Sequence, residues 1–296
     1  MEAKAYGWGT LRLASLETSG TARRTIMVTG ASSGIGAYCA RALRDEGWRV
    51  FGTARKPEDL AALEAEGIEA FFLDYADGAS VEAFFGAVMA RTGGRLDALC
   101  NNGAYSQAGA VEDVPTDALR AQFEANFFGW HALTRRVVPV MRAQGEGRIV
   151  SVSSVLAYTP VEFRGAYGAS KAALEMLMLC LRAELGGSGV HVSLIEPGPI
   201  RSKIAANGLA HFERNVDHAA SVHRDAYQRQ LARLKAGGTV SRFRLGPEAV
   251  HAALRHALLS ERPRPHYVVT TPAKIAALLL RLLPSSLFLR TVAKSN

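Results

Sequence analysis

The segment Thr25-Ile26-Met27-Val28-Thr29-Gly30-Ala31-Ser32-Ser33-Gly34-Ile35-Gly36 restricts the fold of this chain more than any other stretch. A short β-branched run passes through a glycine-rich turn into residues 35–43, whose apolar positions recur at helical spacing, so the order is strand, turn, helix. Glycines at 30, 34 and 36 let the backbone turn sharply and come close to a bound group, because no Cβ intervenes. The helix start then offers unpaired N–H groups and the positive end of its dipole to an anion. Ser32, Ser33, Gly34 and Ile35 are therefore candidates to hold a phosphate, with Ser32 or Ser33 adding a hydroxyl donor.

A second strand over residues 49–54 ends in Arg55 and Lys56, with no carboxylate until Glu58. An acidic side chain at such a strand end holds the ribose 2′-hydroxyl of NAD, whereas an arginine suits the 2′-phosphate of NADP. The pattern favours NADP(H) with Arg55 as the selecting residue; the alternative is a solvated Arg-Lys pair opening a loop.

Tyr167-Gly168-Ala169-Ser170-Lys171 lies within residues 165–185, a run of good helix formers, so Tyr167 and Lys171 share one helical face. An ammonium about 5 Å from a phenolic oxygen, at an effective dielectric of roughly 20, favours the phenolate by about 3 kcal/mol. That predicts a tyrosine pKa lowered from about 10 by roughly two units, within range of proton exchange with a hydroxyl. Upstream, residues 149–152 read as a strand ending at Ser153-Ser154, where a hydroxyl could polarise a carbonyl beside the tyrosine. Asn126 is polar in an apolar helical stretch, and Glu196-Pro197-Gly198-Pro199-Ile200-Arg201-Ser202 follows a strand at the carboxyl edge of the sheet, where ligands bind.

In order and spacing these motifs resemble the short-chain dehydrogenases/reductases over residues 25–270, and within them the NADP-preferring branch like the retinol and 17β-hydroxysteroid dehydrogenases. The resemblance implies a single-domain α/β fold of Rossmann type, a doubly wound parallel sheet with helices on both faces. It makes Asn126, Ser154, Tyr167 and Lys171 the catalytic set, and Gly30, Gly34 and Gly36 the family's Thr-Gly-x-x-x-Gly-x-Gly. Asp74 falls where the family has an aspartate near the adenine, Asn102 where it has an asparagine beside the adenosine ribose. Pro197, Gly198, Ile200 and Ser202 match the proline-glycine motif at the nicotinamide. The implied reaction interconverts an alcohol and a carbonyl: Ser154 and Tyr167 hold the oxygen, Tyr167 moves the proton, Lys171 holds the nicotinamide ribose, and Asn126 fixes a water linking the lysine to solvent. Two departures stand out. Asn101-Asn102-Gly103-Ala104 moves the family's glycine by one place, and Ser202 replaces a threonine.

At 296 residues and 48% hydrophobic content the chain can bury one large core. Residues 1–24 lack the apolar core of a signal peptide and read as a disordered extension. The catalytic domain is placed at 25–271. Cys39, Cys100 and Cys180 are scattered in apolar surroundings and read as buried thiols in a reducing cytoplasm; no metal-ligand spacing is present. Residues 203–245 occupy the place of the family's substrate lid. Ile204, Leu209, Phe212, Tyr227, Leu231, Leu234 and Phe243 are its candidate lining, with Val155, Leu156, Tyr158 and Phe163 facing them, which favours a lipophilic alcohol or carbonyl. In the tail at 272–296 no acid follows Glu261, while Lys274, Arg281, Arg290 and Lys294 accompany Ile275, Leu278, Leu279, Leu282 and Leu283 at helical spacing. Such a basic amphipathic helix suits an anionic membrane surface; alternatively its leucines pack on the domain, a partner subunit or the substrate entrance. Nucleic-acid binding lacks a basic-aromatic platform. A homodimer or homotetramer follows from the resemblance. Two other readings were weighed: a catalytically silent NADP(H)-binding redox sensor, which has no need of Ser154, Tyr167 and Lys171, and a nucleotide-sugar epimerase, which needs a longer C-terminal domain.

Overall fold

The apolar runs line up as seven parallel strands in the order β3-β2-β1-β4-β5-β6-β7. The computed structural model describes residues 23–202, 204–235 and 243–293. Residues 1–22 of the extension expected over 1–24, part of the lid and Lys294 thus lie outside the described residues, as does the side chain of Leu234. The strands are β1 Thr25–Val28, β2 Arg49–Ala54, β3 Glu69–Phe72, β4 Ala98–Asn101, β5 Gly147–Val152, β6 Val190–Pro197 and β7 His266–Val269. Reversal of the strand order between β1 and β4 leaves a crevice at their carboxyl ends, the place where open α/β sheets bind ligands.

Strand residues alternate between two cores because successive side chains point to opposite faces. Ile26, Val150 and Ile195 pack with α1 Gly34–Asp45 and α9 Glu248–Leu259 on one face. Met27, Ile149 and Leu194 pack with α3 Gly78–Thr92, α5 Gly129–Gln144 and α6 Gly165–Glu184 on the other. The short helix α2 Pro57–Ala65 packs Leu63 on the first face, and α4 Thr116–Phe123 runs into a π-helical turn, Glu124–Phe128, that leads to α5. The result is the doubly wound parallel sheet with helices on both faces that the motifs predict.

After β6 come α7 Ile204–Asn215 and α8 Arg224–Lys235, then, beyond α9 and β7, α10 Thr271–Leu282 and α11 Ser285–Ala293. Ala110, Phe212, Val216 and Tyr227 form a separate small core joining α7 and α8 to the loop after β4, with the Tyr227 hydroxyl donating to Asp113 Oδ2 at 2.6 Å. Cys39 and Cys100 are buried thiols as expected, but Cys180 is exposed: it sits on the outward face of α6, which carries Met176 into solvent as well.

Candidate active site

The glycine turn is built by close backbone approach. Gly30 has φ +64°, the left-handed region, and a Cβ on it would lie 2.5 Å from Gly103 Cα. A Cβ on Gly36 would run into Gly30 O and Asn102 Nδ2. The relocated glycine of the Asn-Asn-Gly-Ala segment therefore faces Gly30 and lets two chain segments touch. Asn102 braces this contact, donating Nδ2 to Thr29 O at 3.0 Å and its backbone N–H to Thr29 Oγ1 at 2.9 Å. Ser33 begins α1 in extended conformation without capping it through its side chain, so the first-turn N–H groups face the crevice available to an anion.

A single cleft of about 1180 Å³ runs along the strand ends. Its lining brings together Gly30, Ser32, Ser33, Gly34, Ile35, Arg55, Asp74, Asn102, Ser154, Tyr167, Lys171, Pro197, Gly198, Ile200 and Ser202. Gly36 lies behind this lining as a packing position. These residues fit a dinucleotide: an uncapped helix start, glycines whose Cβ atoms would fill the cradle, and a cation at the end of β2.

Asn126 is fully buried and does not reach the cleft. It sits in the π-helical turn, donates Nδ2 to Tyr105 O at 2.9 Å, and accepts at Oδ1 from Tyr105 N–H. Nδ2 also donates to Ser170 Oγ at 3.4 Å, one residue before Lys171.

Ser154, two residues past β5, caps the turn Val155–Ala157 by accepting from Leu156 N–H at 3.2 Å. Tyr167 and Lys171 are both buried, with Nζ 5.8 Å from the phenol ring centroid. Nζ donates to Val152 O at 2.9 Å and lies 4.1 Å from the centre of the Trp130 ring. The direction of the tyrosine shift is the reverse of that expected from the sequence. Burial pushes Tyr167 up to about 12, against the Ser154 hydroxyl and Arg164, which favour the phenolate. Burial also pushes Lys171 down to about 7, against the Glu175 carboxylate. The ammonium's field favours the phenolate, but removal of both groups from water disfavours each charged form and outweighs it.

Two functional residues were not read from the sequence. Arg164 lines the cleft one helical turn before Tyr167, a spacing that could have identified it just as it identified Lys171. Trp130, four residues after Asn126, takes the Lys171 ammonium over its ring and donates Nε1–H to Gly103 O at 2.8 Å. The tail closes the far wall of the cleft with Thr271, Ala273, Ile275, Ala276, Leu279 and Val292, in line with the substrate-entrance alternative stated for its apolar face. Within the lid, Ile204 and Phe243 line the cleft, whereas Leu209, Phe212, Tyr227, Leu231 and Phe163 close a separate small cavity. Val155 and Leu156 line the cleft, and Tyr158 stands outside its lining.

A profile of the short chain dehydrogenase family matches residues 24–211. The uncharacterized oxidoreductase YbbO of Escherichia coli strain K12 is 38% identical over 262 residues, 88% of this chain and 91% of that protein. A short-chain dehydrogenase from Streptomyces avermitilis superimposes with a TM-score of 0.70 and 31% identity, covering 89% of this chain and 97% of its own. A short chain dehydrogenase/reductase from Burkholderia phymatum in complex with NAD gives a TM-score of 0.73 at 26% identity over 88% of this chain and 93% of its own.

Proposed function

The chain belongs to the short chain dehydrogenase family and is an oxidoreductase using a nicotinamide cofactor, and from that premise we propose that it reduces a lipophilic carbonyl with NADPH, with Tyr167 as proton donor. The observation that carries this reading is the convergence of Ser154, Tyr167 and Lys171 on the same cleft as the glycine turn and Arg55.

When bound, the nicotinamide supplies the hydride. Gly30 and the residues from Ser32 to Ile35 would hold the pyrophosphate at the start of α1, with Gly36 keeping the turn closed. Arg55 would hold the 2′-phosphate, Asp74 the adenine and Asn102 the adenosine ribose. Lys171 would hold the nicotinamide ribose, and Pro197, Gly198, Ile200 and Ser202 the nicotinamide. Ser154 hydrogen-bonds the carbonyl oxygen and Tyr167 donates its proton to it. A phenol held at about 12 is protonated at neutral pH and so carries the proton that reduction consumes. Asn126 fixes Tyr105 and reaches Ser170 Oγ beside Lys171, from where it would hold the water that links the lysine to solvent.

The substrate end of the cleft is apolar, with Val155, Leu156, Ile204, Phe243, Ile275 and Leu279, which supports a lipophilic aldehyde, ketone or alcohol. The outer faces of α10 and α11 expose Ile275, Leu278, Leu282, Leu287 and Leu289 beside Lys274, Arg281 and Arg290. This supports peripheral contact with an anionic lipid surface, since a symmetric packing of two such tails would set cation against cation. Among the described residues no helix is long and apolar enough to cross a membrane. Exposed Leu119, Phe128 and Met176 on α4 to α6 support a homodimer or homotetramer, and the free thiols of Cys39 and Cys100 support a reducing cytoplasm.

The test is oxidation of NADPH, then NADH, across lipophilic aldehydes, ketones and quinones. Tyr167→Phe is expected to lose roughly a hundred- to ten-thousandfold in kcat. Retained turnover in that variant removes the tyrosine from the mechanism.

A further inference from the structure

This inference rests on the reductase reading and concerns charged groups that reading leaves unused. Val192 and Leu194 of β6 pack in the core shared with Leu174 and Met178 of α6, while Ile195 points to the opposite core. By the same alternation Glu196 faces α6, where Glu175 lies one turn beyond Lys171. On β7, Tyr267 points to the opposite core, so the neighbouring His266 shares the α6 face, and its Nδ1 contacts Glu196 Oε1. Glu196 is buried, whereas the His266 side chain is 32% exposed, so the group ends at solvent.

Three oxygens in this group are enclosed and make no close hydrogen bond, Ser153 Oγ, Tyr158 OH and Glu175 Oε1, although Ser153 faces the Glu175 carboxyl and Tyr158 the Glu196 carboxyl. Enclosed polar atoms of this kind require partners, and ordered water is the usual one. The charges facing the group come from every neighbouring element: Lys171 from α6, Glu196 from β6, His266 from β7, Tyr158 from the turn after β5, and Arg281 from α10. Burial and the nearby Glu196 push the Glu175 carboxyl up to about 7, and contact with Glu196 raises His266. The Glu196 charge thus favours a proton on Glu175.

We propose that Glu175, Glu196 and His266 form a proton path from Lys171 to the surface at β7, with Glu175 a positioning residue that keeps Lys171 an ammonium. In reduction Tyr167 gives its phenolic proton to the product oxygen, and one proton must return. Lys171 passes an N–H proton to the phenolate, the Glu175 carboxyl replaces it through the enclosed water, and Glu175 regains a proton that His266 takes from solvent and passes on by way of Glu196. One proton enters per turnover and no electrons move along the path.

The experiment is the pH profile of kcat for the full chain, Glu175→Gln and His266→Asn, with a lipophilic aldehyde, saturating NADPH, and circular dichroism to verify folding. Loss of the carboxylate moves the alkaline limb of Glu175→Gln down by about one pH unit, because the amine loses a partner for its charge. KM for NADPH changes by less than about threefold, since cofactor contacts are untouched. His266→Asn lowers kcat by about two- to fivefold, and imidazole added to the buffer restores it, which a structural role does not allow. If Glu175→Gln does not fold, imidazole rescue of His266→Asn decides alone. A Glu175→Gln profile that superimposes on the parent, or a His266→Asn loss that imidazole leaves unchanged, overturns the path. Failure of the underlying reading is separately visible as full turnover in Tyr167→Phe, and the path falls with it.

Discussion

At its cofactor end the cleft is made from strand ends and the turns that follow them, at Gly30 to Ile35, Arg55, Asp74 and Asn102. At its substrate end it is made from α7, α10 and α11, helices that pack over the strand ends from as far away in the chain as Val292. The first end is fixed by backbone geometry that glycines alone allow. The second is fixed by apolar side chains that many residues could replace. The difference teaches that cofactor chemistry here tolerates little change, while substrate range and surface contacts are open to it.

The comparison breaks most sharply at Gly36. Gly36→Val puts side-chain atoms into Gly30 O and Asn102 Nδ2, and overpacking of this kind costs roughly 1–3 kcal/mol even where neighbours relax. Titration with NADPH is expected to reveal an affinity loss of at least about a hundredfold, the equivalent of about 2.8 kcal/mol. An unchanged dissociation constant would mean that the turn is not the phosphate cradle.

Arg55→Ala sharpens the same end. KM for NADPH should rise by about ten- to a hundredfold through loss of a charge-assisted phosphate contact, while KM for NADH stays within about twofold. Equal effects on both cofactors would contradict selection at Arg55.

At the other end effects are smaller and selective. Leu278→Glu with Leu282→Glu should abolish co-sedimentation with anionic vesicles, yet leave kcat on a short soluble aldehyde within about twofold, because both side chains are exposed. Vesicle binding by the parent that is already absent removes the lipid contact; a change in oligomer size on gel filtration assigns the face to a second subunit.

The smallest effect concerns pH and stability. Contact with Glu196 raises His266 above its unfolded value, so its contribution is full below the unfolded pKa and is lost as pH rises through the folded one. The Tm difference between the parent and His266→Asn should therefore be wide near pH 6 and close by about pH 9. A difference independent of pH would assign it to packing.

Legibility in the sequence follows the same division. β1, the turn and α1 could be read because strand, turn and helix are consecutive, and Tyr167 and Lys171 because helical spacing fixes their shared face. Ser154 required only the end of β5. What could not be read depended on desolvation or on distant packing: the upward shift of Tyr167, the contacts of Asn126 with Tyr105, and which of its alternative surfaces the tail covers. The lid misled for a related reason. Its aromatic residues are apolar because they pack on one another, with Phe212 and Tyr227 at 5.0 Å between ring centroids, and not because they meet a ligand.

The central claim is that this cleft moves a hydride from NADPH to a carbonyl carbon. NADPH deuterated at the transferring position, incubated with the enzyme and the lipophilic carbonyl panel, tests it directly. The account predicts deuterium on the carbinol carbon of at least one product. Tight NADPH binding with no deuterium transferred to any compound would contradict it and assign the chain to cofactor sensing.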